Sequence, residues 1–287
     1  MSQFTEETRL TDEDFWEEHW VSQKIPARIN RLASFDRCLS RVFTRFLADG
    51  QGKKMIEIGA APGRWLMFFR EKFGYEVDGI EYLPSACRKT EENLAACGIE
   101  GRIFQQDFFH NDLPKHSYDV VLSIGFIEHF TDQDTVVGGH VALLKPGGLL
   151  VLIVPNLRGL HGAVERLTDR ETLAAHNQEV MSVPFMEGLA AKHEMTPLWI
   201  GYTAGISPGL LSVADAPPTD RDGIAAKLRH QRVALLRLVL RLLRYARSGL
   251  LPLDYLNGPL ISSYLLAVYR YTPQKEGGPV SGPEHRR

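Results

Sequence analysis

Glu57-Ile58-Gly59-Ala60-Ala61-Pro62-Gly63 sets a carboxylate ahead of a tight glycine turn. Without side chains at Gly59 and Gly63 the backbone can approach a ligand closely, and the N–H groups of a helix that opens there point at it. The dinucleotide fingerprint G-x-G-x-x-G is not met, which disfavours NAD. Glu81 lies 18 residues beyond Gly63. A carboxylate at a strand end can accept hydrogen bonds from both hydroxyls of a ribose, a logic shared by nucleotide folds. Ile127-Glu128-His129-Phe130 offers an imidazole of unperturbed pKa about 6.5 as a general base. The bland alternative is that the His129 ring only hydrogen-bonds the backbone and closes a pocket.

These residues need strands to end beside them and helices to follow. From Lys54 to Pro155 short apolar runs alternate with longer amphipathic ones, the pattern of βα units feeding a parallel sheet. Strands are expected at Lys54–Ile58, Glu76–Ile80, Arg102–Gln106, Tyr118–Ile124 and Leu149–Val154. Helices are expected at Pro62–Phe73, Pro84–Ala96 and Thr135–Leu144, the first two opening on proline, which costs least at a helix's first position. Lys145-Pro146-Gly147-Gly148 should break the chain before the fifth strand. Asn30–Leu47 reads as an amphipathic helix ahead of the first strand. Further helices are expected around Leu160–Ala175 and Phe185–Lys192, and strands at Leu198–Thr203 and Ser263–Tyr271. The fold class is α/β: a doubly wound, Rossmann-like sheet, mostly parallel with an antiparallel last strand. Residues 1–50 would form an N-terminal helical cap, 51–155 the binding core, and 156–272 a C-terminal half with an insertion at about 205–260. Residues 273–287, rich in Gly, Pro and charge, should be a disordered tail. Ligands of such sheets sit at the carboxyl ends of the strands.

Taken together the stretches resemble the class I S-adenosylmethionine-dependent methyltransferases. Glu57 to Gly63 resembles that family's first motif, Glu81 ends the second strand as its ribose ligand does, and Leu144 to Gly148 matches its turn before the fifth strand. The resemblance implies S-adenosylmethionine as cofactor, with Glu57, Gly59, Ala60, Ala61, Pro62 and Gly63 shaping the methionine end together with Ser123 and Gly125. It further implies Glu81 at the ribose, Tyr82 among the cofactor contacts, and Asp107 and Phe108 at the adenine. The methyl group would pass in one displacement, without a metal, to the O, N or S atom of a small molecule. His129 is the candidate catalytic residue. The turn also looks like that of FtsJ-type ribose 2′-O RNA methyltransferases, but the lysine–aspartate–lysine–glutamate tetrad is broken at Ser123-Ile124-Gly125-Phe126 and Leu150–Val154. A resemblance to cyclopropane fatty-acid synthases over Ser123–His129 lacks that family's N-terminal bicarbonate contacts.

The acceptor side would come from the N-terminal cap and the segments after the fourth and fifth strands: Trp16, Trp20, Phe126, His129, Asn156 and His161, with Phe15, His176 and Asn177 beside them. Core packing of the aromatics and surface exposure of the histidines is the plainer reading of each.

The chain has 287 residues, 44% hydrophobic and 24% charged, with a formal charge of −2, which suits one large globular domain or a domain with a cap. That balance speaks against a nucleic-acid binder working through a global basic surface. Three cysteines without C-x-x-C spacing suggest reduced thiols and no zinc knuckle. A signal peptide and a spanning helix are both missing, so a cytoplasmic protein is expected. Charge is nevertheless uneven. Arg9 is the single base in an acidic first twenty residues, whereas Gly223–Leu253 holds seven lysines and arginines and no acid. The basic helix expected at Gly223–Arg247 leaves three readings open: peripheral contact with anionic membranes by a lipid or quinone methyltransferase, a homodimer or lid contact with the acidic N-terminus, or an ordinary amphipathic helix. A non-catalytic cofactor-binding partner subunit is the other alternative.

Overall fold

The computed structural model describes residues 9–21, 23–31, 33–168, 170–205, scattered positions between 224 and 238, and 256–273. Its elements run α1 (Glu13–Val21), α2 (Ser34–Phe46), β1 (Lys54–Ile58), α3 (Arg64–Phe73), β2 (Glu76–Glu81), α4 (Pro84–Ala96), β3 (Arg102–Gln105) and β4 (Tyr118–Ile124). There follow a 3-10 turn (Ile127–His129), α5 (Gln133–Leu143), β5 (Leu144–Pro155), α6 (Leu160–Thr168), α7 (Arg170–Ala174), a second 3-10 turn (Gln178–Val180), α8 (Val183–Lys192), β6 (Met195–Thr203) and β7 (Tyr264–Tyr271). The seven strands form one sheet in the order β3-β2-β1-β4-β5-β7-β6. β1 pairs in parallel with both β2 and β4, while β7 runs antiparallel to β5 and β6. The strand order therefore reverses at β1 and β4, the switch point where such sheets leave a crevice.

Apolar side chains of both sheet faces are buried, as parallel strands require. On one face Leu39 and Phe43 of α2 meet Trp65 and Phe69 of α3, with Phe43 5.0 Å from the Trp65 ring and 5.1 Å from the Phe69 ring. On the other, Val136, Val137 and Val141 of α5 and Met186 and Leu189 of α8 join the core. Each such side chain contributes about 1.5–3 kcal/mol by leaving water. This packing holds the ends of β1 and β2 rigid beneath the crevice.

Most expected elements occur, with shifted limits. The first crossover helix opens at Arg64 rather than Pro62, because Gly63 is its N-cap at φ +82° and a Cβ there would sit 2.9 Å from Thr90 Cγ2. The Lys145–Gly148 turn does not precede the fifth strand but lies within it: Tyr118 pairs with Leu144, Val120 with Leu149, and the residues between bulge out. The helix expected at Leu160–Ala175 is helical over Leu160–Thr168 and Arg170–Ala174, the residue between them lying outside the described residues. Among the described residues of 1–50 there are two helices, α1 and α2. The arginines of the expected basic helix, Arg237, Arg241 and Arg244, lie outside the described residues, as do most of the 205–260 insertion and nearly all of the expected tail. Among the described residues no helix is long and apolar enough to cross a membrane.

Candidate functional site

A cavity of about 550 Å³ opens over the carboxyl ends of β1, β2 and β4, within the 300–1,000 Å³ usual for small-molecule sites. Its floor is the first glycine turn. Gly59 holds φ +69° with Phe126 packed over it, so a Cβ there would touch the Phe126 ring at 3.4 Å. Ala60, Ala61 and Pro62 continue the floor. The turn is supported from behind by Asn93 of α4, which donates to Pro62 O at 2.7 Å and to Ala27 O at 3.1 Å, tying the N-terminal chain to the glycine turn.

Three acids reach this floor. Glu57 is 4% exposed, and its Oε2 is buried without a hydrogen-bond partner. Burial pushes its carboxyl up to about 8, the charge of Arg64 opposing only in part. Glu81 Oε1 accepts from Tyr82 N at 2.9 Å and Leu83 N at 3.3 Å, which holds the carboxylate in place while burial raises its pKa. Asp107 receives Arg9 Nη2 at 2.6 Å on one oxygen and lies 3.0 Å from His110 Nδ1 on the other. Burial would raise Asp107, but the bonds from His110, Phe109 N and Arg9 outweigh it and hold the carboxyl below its usual value.

The opposite end of the cavity is aromatic. Trp16 and Trp20 of α1 stack with centroids 6.3 Å apart, and Trp16 stands edge-on to His129 at 4.9 Å. Phe108 packs edge-to-face on Phe126 at 5.3 Å, and Phe126 lies 4.9 Å from Phe130. Phe35 and Tyr264 complete the wall, their rings 4.2 Å apart. The helix bearing the tryptophans is seated on α4: Lys89 donates to Trp20 O and, at 2.7 Å, to Gln23 O, and Ser85 donates to Glu17. Below it Arg9 bridges to Phe130, and Leu10 N donates to His129 O at 2.9 Å, so residues 9–20 cross the mouth as a strap.

His129 is 4% exposed, with Nδ1 2.8 Å from Ala175 O. Burial and the neighbouring His176 ring, 4.6 Å away, lower its pKa to about 3. A general base works best with a pKa near the operating pH, so the expected base role loses its footing and the reading in which the ring bonds the backbone gains it.

Most of the expected residues line this one cavity: Glu57, Gly59, Ala60, Ala61, Pro62, Glu81, Tyr82, Asp107, Phe108, Gly125, Phe126, His129, Trp16 and Trp20. Others are corrected. Asn156 is fully buried away from the cavity, donating to Pro259 O at 2.8 Å and Ser262 O at 2.9 Å, so its polar groups are spent on holding the chain before β7. His161, 1% exposed, sits 3.3 Å from Ser263 Oγ and serves the same joint. Ser123 is buried inside the sheet, paired in register with Ile58 and Leu152. Gly63 caps α3 and does not face the cavity. Asn177 holds backbone, donating its amide Nδ2 to Phe130 O at 3.2 Å. Arg9, Thr11, Phe35, Arg64 and Tyr264 line the cavity unforeseen. Arg9 carried a visible signal, a lone base among acids, and Arg64 directly follows the glycine turn. Tyr264, far along the chain, carried none.

The family profile of a methyltransferase domain matches residues 28–193, more than half of the chain. Among curated relatives, the ubiquinone biosynthesis O-methyltransferase of Bradyrhizobium sp. (strain ORS 278) is 31% identical over 106 residues, 37% of this chain and 41% of that protein. The ajmaline N-methyltransferase of Rauvolfia serpentina is 24% identical over 133 residues, 45% of this chain and 46% of its own. The chain thus spans less than half the length of these two relatives. A solved structure, a putative sarcosine dimethylglycine methyltransferase from Galdieria sulphuraria, shares the fold with a TM-score of 0.53 at 17% identity, covering 82% of this chain and 83% of that one. With its 3-2-1-4-5-7-6 sheet and the glycine turn under the crevice, the chain belongs to the class I S-adenosylmethionine-dependent methyltransferases.

Proposed function

We propose that the cavity binds S-adenosylmethionine along the ends of β1, β2 and β3 and passes its methyl group to a hydroxyl or amine of a small, largely apolar acceptor held beneath α1. The observation that carries this reading is Glu57, a buried carboxyl with one oxygen unpartnered beside the glycine turn that lines the cavity. Burying such a group without a partner costs on the order of 1–3 kcal/mol or more, and an incoming ammonium group would relieve that cost. The residues present therefore fit the cofactor: Glu57 for its ammonium, Gly59 to Pro62 for close backbone approach, Glu81 for the ribose hydroxyls, Phe108 for the face of the base and Asp107 for its amino group. S-adenosylmethionine, when bound, supplies an already activated methyl group.

What remains for the protein is alignment and dryness, which for a displacement reaction are the larger effects. Glu81 is pre-oriented by the Tyr82 and Leu83 amides, so little ordering is left to the moment of binding. Trp16, Trp20, Phe126 and Tyr264 offer apolar and cation-attracting surface to the acceptor. Relatives named as an O-methyltransferase and an N-methyltransferase support a hydroxyl or amine as the methylated group. Isothermal titration with S-adenosylmethionine and S-adenosylhomocysteine tests the first half of the proposal, and micromolar binding of both is expected. A methyl-transfer screen over phenols, amines, thiols and carboxylic acids tests the second. Absence of binding by either cofactor form would overturn the reading.

A further inference from the structure

We propose that Glu128, His129 and His176 form a binding site for a divalent transition-metal ion of the zinc, iron and manganese class at the aromatic end of the cavity. Each of the three offers one ligand atom, and these atoms all lie within 4.8 Å of one another. All three residues face the cavity. Glu128 is 1% exposed, and its Oε2 is buried with no hydrogen-bond partner. A carboxylate in that position is costly unless something positive meets it, and no lysine or arginine is paired with it among the described residues. Two imidazoles stand there instead.

The imidazoles are held as metal-ligating histidines usually are. A ligating ring commonly gives its second N–H to a backbone carbonyl, which fixes the tautomer and turns the other nitrogen to the ion. His129 Nδ1 lies 2.8 Å from Ala175 O, so the proton belongs on Nδ1 and Nε2 keeps its lone pair. His176 is delivered by the same segment. Asn177 N donates to Glu128 O at 2.6 Å, while Ala175 O takes the bond from His129. His176 is thus pinned between two residues that both grip the Glu128–His129 turn. Its ring centroid is 4.6 Å from that of His129 at 54°.

Two nitrogens and one carboxylate oxygen make the donor set of catalytic zinc sites and of two-histidine, one-carboxylate iron sites, each with a position left open. Bonds of about 2.0–2.1 Å at tetrahedral angles place donors about 3.3 Å apart. The three groups would therefore draw together by at most about 1.5 Å, within reach of side-chain rotation. The open position would face Trp16 and the acceptor space. An ion there lowers the pKa of a hydroxyl that reaches it: the proton leaves to solvent, the oxygen forms a C–O bond to the methyl carbon, and the S–C bond breaks to leave a neutral thioether. That use of the ion rests on the methyl-transfer reading; the site itself does not.

The test is metal binding by the full chain, stripped with chelator and titrated calorimetrically with Zn²⁺ alone and Mn²⁺ alone, with bound metal counted by mass spectrometry. One ion per chain is expected, and His176→Ala and Glu128→Gln should each weaken binding at least about tenfold. S-adenosylmethionine affinity, measured on the same samples, should stay within about threefold, which shows that the cavity is folded. Because a variant can fail to fold, the wild-type chain is also loaded with Co²⁺. Intense visible bands of a tetrahedral nitrogen–oxygen site are expected, whereas the weak spectrum of the aqua ion overturns the site. An undiminished metal affinity in both variants overturns it as well. If the wild-type chain takes the ion but not S-adenosylmethionine, the methyl-transfer reading falls and the site stands; the reverse pattern removes the site alone.

Discussion

At one end of the cavity Glu57, Gly59, Glu81 and Asp107 come from the ends of three neighbouring parallel strands within fifty residues of chain. At the other, Trp16, Phe35, Phe126, His176 and Tyr264 arrive from five segments spread over most of the sequence. The first end is built of backbone and carboxylates set by sheet register: a turn that demands glycine and an acid fixed by the amides after it. The second is built of ring faces and depends on which loops fold over the sheet. The first therefore resists change in the loops, whereas the second is where one relative can differ from another without disturbing the fold. Cofactor binding and acceptor choice should accordingly respond to different substitutions.

The largest effect should come from Glu81. Glu81→Ala removes the pre-oriented acceptor proposed for two ribose hydroxyls, each charge-assisted bond being worth about 1.5–3 kcal/mol. The S-adenosylmethionine dissociation constant should rise at least about tenfold by calorimetry, and an unchanged value would break the assignment of that end. Asn156→Ala should do the opposite, leaving Ser262 O buried without its donor and removing the part-buried bond to Pro259 O. A stability loss of about 1–3 kcal/mol is expected, read as a melting point lower by several degrees, with cofactor affinity of the folded protein within about twofold of wild type. Loss of affinity at unchanged stability would return Asn156 to the site.

The same contrast explains what the sequence made visible. The strands, the glycine turn, Glu81 and Asp107 were legible because period, spacing and turn chemistry are local. So was the aromatic character of α1, whose two tryptophans face the cavity as expected. Asn156 and His161 misled because a polar side chain just past a strand end reads alike whether it faces a ligand or satisfies a neighbouring backbone. What decides is the chain around Pro259 to Ser263, about a hundred residues later. The grouping of Glu128 with His176 was hidden for the same reason: it depends on Ala175 and Asn177 docking on the 127–129 turn, a contact no spacing rule encodes. Arg9 and Asp107, 98 residues apart, show the limit from the other side. The anomaly of a lone arginine could be seen, but its partner could not.

Glu57 offers a way to sharpen the comparison by pH. Its carboxyl is raised to about 8 in the folded chain against about 4.5 unfolded, so folding takes up a proton between those values. The stability it contributes is fully present below about 4.5 and is lost as pH climbs through about 8, since the unfolded state there binds fewer protons. Denaturant melts from pH 5 to 8 should show stability falling with pH, and Glu57→Gln should lessen the slope by an amount on the order of 1 kcal/mol per pH unit. Because an ammonium group beside Glu57 favours its ionised form, S-adenosylmethionine binding near pH 7 should release protons, measured by calorimetry in buffers of different ionisation enthalpy. Release that persists undiminished in Glu57→Gln would move the ammonium contact elsewhere.

Arg9 belongs to one end by its chain and to the other by its contact. Its guanidinium takes Asp107 Oδ1 at 2.6 Å and lies over the Tyr82 and Phe109 rings at 5.4 and 5.5 Å, while its backbone pairs with Phe130 beneath the strap that leads to Trp16. The pair is partly exposed, 28% and 32%, so solvent screening limits it to about 0.5–1 kcal/mol. In Arg9→Ala the adenine amino group proposed to reach Asp107 no longer competes with the guanidinium, and that gain offsets the lost closure, leaving S-adenosylmethionine affinity within about threefold. The strap, however, loses its anchor on Asp107, and Trp16 loses definition with it. Acceptor KM should therefore rise severalfold while kcat at saturating acceptor changes less, the split expected when binding rather than the transition state is touched. A cofactor affinity that collapses in Arg9→Ala would show that the two ends are one cooperative unit, with residues 9–20 ordering both.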